Sequence, residues 1–168
     1  MKLSVPLLRE LRHEAAATKQ YLEIVPTNFL NWKPHEKSMT LGTLVRHIAE
    51  LPGWLHYTID ADELDFTNMN YTPPTITDNA SLIKVFQDNL DLGIKSLEGA
   101  SDELLRASWR LRNGDHIIFE MARMGVIRNM VYNHLVHHRG QLSVYLRLLD
   151  VKIPGLYGPS ADEMDQAL

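Results

Sequence analysis

The stretch Asn133-His134-Leu135-Val136-His137-His138-Arg139-Gly140-Gln141 places three of the chain's eight histidines within five residues. On a helix, His134 and His138 stand one turn apart on one face, so their imidazoles can converge on a point. His137 lies about 60° to the side of His134, because each residue turns about 100°. Two neutral imidazoles at this spacing form half of a transition-metal site. Whether the segment is such a site depends on what faces it.

The segment sits in an apolar pattern that reads as a helix over residues 120–149. Met124, Ile127, Met130, Val131, Leu142, Tyr145 and Leu149 form its buried side, interrupted by His134, His138 and Gln141. Gly140 costs about 1 kcal/mol relative to Ala there and suggests close approach of a neighbour. Three earlier stretches share the helical period. Over residues 5–25 the stripe is Leu8, Leu11, Ala15, Thr18, Leu22 and Val25, with Ser4 as N-cap and Pro26 as terminator. Over residues 40–60 it is Leu41, Leu44, Ile48, Leu51 and Leu55, with Thr40 near the cap. Pro52 removes a donor and predicts a kink or break just after His47. Over residues 78–98 it is Leu82, Val85, Phe86, Leu90, Ile94 and Leu97, capped by Asp78 or Thr77 and stopped by Gly99.

The connections complete the outline. Residues 26–39 carry Phe29, Leu30 and Trp32, which pack a loop down, with Trp32 as a lid on the end of the core. Residues 61–77 run from the acidic Asp62, Glu63 and Asp65 to Thr72-Pro73-Pro74-Thr75, a long surface crossover with solvated charges. Asn113-Gly114, between two short stretches in 107–119, signals a hairpin. Ser160 or Asp162 can cap a short last helix. The expected fold is therefore all-α: one domain over residues 1–168, a four-helix bundle with a long crossover, a small hairpin before the last long helix and a short C-terminal helix.

Composition bounds the function. The 45% hydrophobic and 23% charged fractions suit a globular chain. A net charge of −4 leaves no footprint for nucleic acid or an anionic membrane. There is no cysteine, which excludes disulfides, thiolate ligands and a cysteine nucleophile. Any thiol chemistry must use a thiol brought by a cofactor or substrate. No apolar leader or span is visible near the start, so a cytoplasmic location is expected.

The other half of the metal site is His47, on the edge of the second helix's core stripe. Three imidazoles from two facing helices can hold a divalent ion and leave positions open for water or a thiol. Nitrogen donors suit zinc, nickel, iron or copper. The competing reading is a set of histidines satisfied by hydrogen bonds in or beside the core, and spacing alone leaves both open. Gln141, one turn beyond His138, is a candidate for the open side. Glu50, one turn beyond His47, is a candidate base, and Trp54 and Tyr57 are candidates for the pocket wall. His137 is expected beside the site, and His13, His35, His56 and His116 as surface or locally bonded residues.

These residues bring a family into view. Trp32-Lys33-Pro34, Leu41-Gly42-Thr43-Leu44-Val45-Arg46-His47-Ile48-Ala49, the histidine-rich segment through Leu142, and the tail Ile153-Pro154-Gly155-Leu156-Tyr157-Gly158-Pro159-Ser160-Ala161-Asp162 together make the chain resemble the DinB-like (DinB/YfiT) superfamily of metal-binding four-helix bundles. The histidine segment is the most specific of them. The resemblance implies a long-crossover bundle, often a homodimer, with His47, His134 and His138 as metal ligands. It also implies a metal, zinc or nickel foremost, that activates a low-molecular-weight thiol such as bacillithiol or mycothiol for S-transfer or isomerisation. Many members have no established activity. The functional expectation is thus a metal-dependent thiol transferase or hydrolase-like enzyme acting on a small molecule. The alternative is a non-catalytic, stress-related metal-binding dimer.

Overall fold

A computed structural model describes residues 2–164. Helix α1 (Ser4–Glu23) buries Leu8, Leu11, Ala15, Thr18 and Leu22 as its stripe requires. Ser4 is not its cap. The cap position is Leu3, whose backbone N–H donates to the Asp102 carboxylate at 2.8 Å, so a residue 99 positions away satisfies the helix start.

Helix α2 (Leu41–Glu50) begins where Thr40 accepts the Thr43 backbone N–H at 3.1 Å. Pro52 then breaks it. Leu51–Gly53 form a 3-10 turn and α3 (Trp54–Asp60) resumes beyond it. Proline has no N–H for the carbonyl of Ile48, which is where an α-helix would need one. The stripe survives the break, with Leu41, Leu44, Ile48, Leu51 and Leu55 all within 1% of complete burial.

Helix α4 (Asn79–Gly99) opens with a reciprocal cap. Asp78 accepts the Ser81 N–H at 2.7 Å, and the Ser81 hydroxyl accepts the Asp78 N–H at 3.1 Å. α4 packs on α1, α2 and α3. Gly93 permits this approach, since a Cβ there would lie 2.4 Å from the Pro52 carbonyl oxygen. A short α5 (Asp102–Arg106) follows.

The expected hairpin is part of a three-stranded sheet. β2 (Ser108–Asn113) pairs antiparallel with β3 (His116–Ala122), and β1 (Glu63–Asp65), from the crossover, adds in parallel to β2. The turn residues are Gly114 and Asp115. Gly114 has φ +59° at the first central position, a conformation only glycine adopts without strain. Asp65 corrects the expectation of a solvated acidic run. It is 9% exposed and accepts from the Thr67 N–H and hydroxyl, the Asn68 amide and the Gly114 N–H, with the Arg112 guanidinium at 3.0 Å. A carboxylate with that many donors is stable where an unpartnered one is not.

The last long helix starts at Arg123 rather than residue 120, because His116–Ala122 belong to β3. It runs through α6 (Arg123–Val126), a π-helical stretch Ile127–Asn133, and α7 (His134–Leu148). α7 packs on α2 and α1. Gly140 faces open space, with nothing within 4 Å of a Cβ placed there, so it admits no neighbour. Trp32 packs edge-on against Tyr145 at 5.7 Å between ring centroids. A short α8 (Ala161–Met164) follows Ser160, whose hydroxyl accepts the Glu163 N–H at 3.3 Å. Among the described residues, no helix is long and apolar enough to cross a membrane.

Candidate metal centre

His47 sits on α2, one turn before the Pro52 break, and His134 and His138 form the first turn of α7. The π-helical stretch ends at Asn133, directly before His134. Its wider turn sets the rotation with which α7 leaves, and such irregularities recur at functional sites. Because α2 and α7 pack together, the three imidazoles meet. One nitrogen from each lies within 4.8 Å of the others. The Nε2 atoms of His47 and His134 are 3.2 Å apart. Ring centroids stand 4.9 Å apart for His47 and His134, and 4.6 Å apart for each of the other two pairs.

The far nitrogens of the α7 pair are held from behind. His138 Nδ1 lies 2.7 Å from the Gln141 side-chain oxygen, and His134 Nδ1 lies 3.3 Å from the Met130 carbonyl. Both partners are acceptors, so each Nδ1 carries the proton and each Nε2 is left with its lone pair. Burial keeps the rings neutral. His47 is pushed down to about 4, first by desolvation and then by His138, His134 and Arg46. His134 and His138 are lowered too, chiefly by burial, with the Met130 and Gln141 hydrogen bonds opposing. At neutral pH all three are in the form that binds a metal.

The spacing fits an ion. Two nitrogens bound at about 2.0–2.1 Å in tetrahedral geometry lie about 3.3–3.4 Å apart, and the His47–His134 separation of 3.2 Å is close to that value. Three nitrogens leave at least one coordination position for a substrate or water. Nitrogen-only donors are suited to a transition metal such as zinc, nickel, iron or copper rather than calcium or magnesium.

A cavity of about 370 Å³ opens at His47, lined by Glu50, Trp54, Tyr57, Phe66, Met69, Tyr71 and Asn89 as well. Glu50, Trp54 and Tyr57, expected as base and pocket wall, are among these lining residues. Gln141 does not line this cavity; it sits behind His138 as the acceptor of its Nδ1 proton. Phe66, Met69, Tyr71 and Asn89 were not among the expected site residues. The signal for the first three was the recurrence of large apolar side chains in an otherwise polar crossover. Tyr71 donates to both Glu50 oxygens, at 2.8 and 3.0 Å, and its hydroxyl is pushed up to about 12 by burial and by that carboxylate. His137 is exposed, 4.9 Å from His138 between centroids. His13, His35 and His116 are exposed, and His56 pairs with Asp60 at 2.7 Å.

The residue after His138 anchors the helix. Arg139 is 1% exposed and crosses to α1, donating to the Glu14 carboxylate at 2.6 Å, the Glu14 carbonyl at 3.0 Å and the Thr18 hydroxyl at 3.1 Å. The Tyr157 hydroxyl joins Arg139 and donates to Glu14 at 2.7 Å, so the tail closes the same network. With five donors in a rigid fork, Arg139 fixes the rotation of α7 about its axis, and with it the aim of His134 and His138.

Comparisons with known proteins agree with this fold. Over 159 residues the chain is 23% identical to YrdA, an uncharacterized protein of Bacillus subtilis strain 168, covering 93% of this chain and 89% of that protein. A crystal structure of a DinB-like protein from Bacillus cereus ATCC 10987 superposes with a TM-score of 0.69 at 20% identity, covering 89% of this chain and 95% of the other. The DinB-like protein YjoA from B. subtilis gives 0.71 at 18% identity, covering 92% and 99%. At these identities the structures speak for the fold alone. The sequence profile of the DinB family matches residues 1–167, and the chain belongs to that family.

Proposed function

We propose that this chain holds one divalent transition metal, zinc or nickel, on His47, His134 and His138, and uses it as an enzyme on a small-molecule substrate. The observation that supports this most is the convergence of three neutral imidazoles from two helices, two of them held by acceptors behind. The same reading takes α1, α2 with α3, α4 and the α6–α7 helix as a four-helix bundle, working as a homodimer in the cytoplasm.

A bound ion supplies the Lewis acidity that lowers the pKa of a thiol or water at its open position. The chain's own residues supply the rest. Gln141 and the Met130 carbonyl orient His138 and His134 and make them better donors. Glu50 is the carboxylate in the cavity and accepts the proton released by the thiol or water. Trp54 and Tyr57 wall the cavity beside His47. Because the chain has no cysteine, the thiol is a low-molecular-weight one that comes with the substrate.

The second reading is a non-catalytic metal-binding dimer in which the ion fastens α2 to α7. The partnering of both Glu50 oxygens by Tyr71 favours it, since a base so occupied is less available. The experiment follows a chromogenic electrophile with several small thiols and fully metallated protein. Enzymatic function predicts a rate above the uncatalysed one that disappears with chelator and in His138→Ala. Background rates with every thiol would leave the non-catalytic reading.

A further inference from the structure

We propose that a recess adjoining the metal cavity is an anion site, in which Arg46 holds the carboxylate or phosphate end of a hydroxyl-bearing small molecule. This deepens the proposed function and rests on that reading only for the claim that the bound molecule is the substrate.

An unpaired cation carries the argument. Arg46 is half-buried on α2, directly before His47. Among the described residues it forms no ion pair, and Arg9, which is exposed, is the only other arginine without a carboxylate partner. A guanidinium drawn partly out of water without a carboxylate presents a rigid fork of donors that matches a carboxylate or a phosphate. Glu50, one turn further along α2, does not answer it and accepts from Tyr71 instead.

The recess around Arg46 has the matching character. It encloses about 550 Å³, with Thr27, Asn28, Asn31, Thr40 and Thr43 in its lining and Pro73-Pro74 of the crossover as a wall. No aspartate or glutamate is among the described lining residues. Hydroxyls and amides both donate and accept, so they suit the hydroxyl groups of a polar ligand. The first N–H groups of α2 are already given to the Trp32 and Leu30 carbonyls and the Thr40 hydroxyl. The guanidinium, rather than the helix end, is therefore the donor for an anion.

Recess and cavity adjoin at Tyr71. Its ring lines the cavity and its hydroxyl donates to Glu50, while the Arg46 guanidinium opposes the rise in pKa that burial and Glu50 impose on it. Arg46 and His47 are consecutive on α2 and about 100° apart. A molecule anchored on Arg46 can pass Tyr71 and bring its other end to the open position of the ion. A divalent ion on the histidines would also attract an anion, so the metal-free protein isolates what Arg46 does.

The test is calorimetric titration of chelator-treated protein with gluconate, glucose 6-phosphate and glucose. The better of the two anions is expected to bind about tenfold tighter than glucose, and which one it is tells carboxylate from phosphate. Arg46→Gln should bring that ratio to within about twofold, and Arg46→Lys, which keeps the charge but not the fork, should fall between. Circular dichroism of both variants should match the wild type, because Arg46 makes no ion pair that the fold would lose. No saturable binding of either anion, anions no tighter than glucose, or a ratio unchanged in both variants would overturn the inference. Metal content of the untreated protein is read in parallel. A metal-free protein that still prefers the anion through Arg46 keeps the recess and loses the metal reading; a metallated protein with no such preference does the reverse.

Discussion

Replacing Gln141 with leucine should weaken metal binding about tenfold to a hundredfold without unfolding the chain. His138 is 6% exposed, and its Nδ1–H has the Gln141 oxygen at 2.7 Å as its partner. Leucine removes the acceptor and leaves a buried donor unpaired. The cost of an unsatisfied buried donor is about 1–3 kcal/mol, and each 1.4 kcal/mol is about tenfold in affinity. In the ligand-bearing state the loss falls on the tautomer and orientation of His138, which the hydrogen bond sets. Gln141 is only partly buried, so leucine in its place leaves the core as it is. The assay is a competition titration with a chromophoric chelator, beside a thermal melt of the metal-free protein. A change in affinity under twofold with an unaltered melt would show that the bond does no positioning and would refute the reasoning. Gln141→Glu is the complementary variant: a carboxylate behind the ring should raise affinity over wild type.

Other expectations concern the frame that aims the site. Glu14→Ala leaves the Arg139 guanidinium buried without its carboxylate and should cost about 3–5 kcal/mol in chemical denaturation; replacing Arg139 with methionine as well should restore much of that. Gly93→Ala should destabilise by about 1–3 kcal/mol, because the new methyl meets the Pro52 carbonyl. Gly140→Ala should stabilise by about 0.5–1 kcal/mol, since nothing stands near it and alanine is the better helix former. On acidification the metal-free protein should lose stability from about pH 6.5 down towards about 4. There the unfolded chain's His47 equivalent takes up a proton that the folded one, held near 4, refuses. The unfolded state binds more protons across that window, so stability rises with pH. A pH-independent denaturation midpoint between those values would contradict it.

Much of this was legible in the residues. Leu11, Leu22, Leu41, Ile48, Leu82, Phe86, Ile127 and Val131 end up buried on stripes that repeat at three- and four-residue steps, and that pattern survives even the break at Pro52. His47, His134 and His138 could be paired from their place on two such stripes. What stayed illegible depends on partners distant in sequence. β1 is three residues of an acidic run, and nothing local says that Glu63 and Asp65 will lie beside Arg110 and Arg112. Asp65 reads as solvated until Gly114 and Thr67 are folded onto it. The cap at Leu3 comes from Asp102, and the buried Arg139 is explained only by Glu14 on another helix. Gln141 shows the limit most clearly. Its position one turn from His138 suggested the open side, but the side-chain rotation that carries it behind the ring is set by packing. The π-helical stretch has no composition that distinguishes it from an α-helix.

The measurement that bears most directly on the metal site is metal content by mass spectrometry of untagged protein, with His47→Ala and His138→Ala alongside. The account predicts about one transition-metal ion per chain in the wild type, lost in both variants while their helical content is kept. Wild-type protein that stays free of metal after incubation with zinc and with nickel would contradict it, and would leave His47 bonded to His134, and His138 to Gln141, with no ion among them.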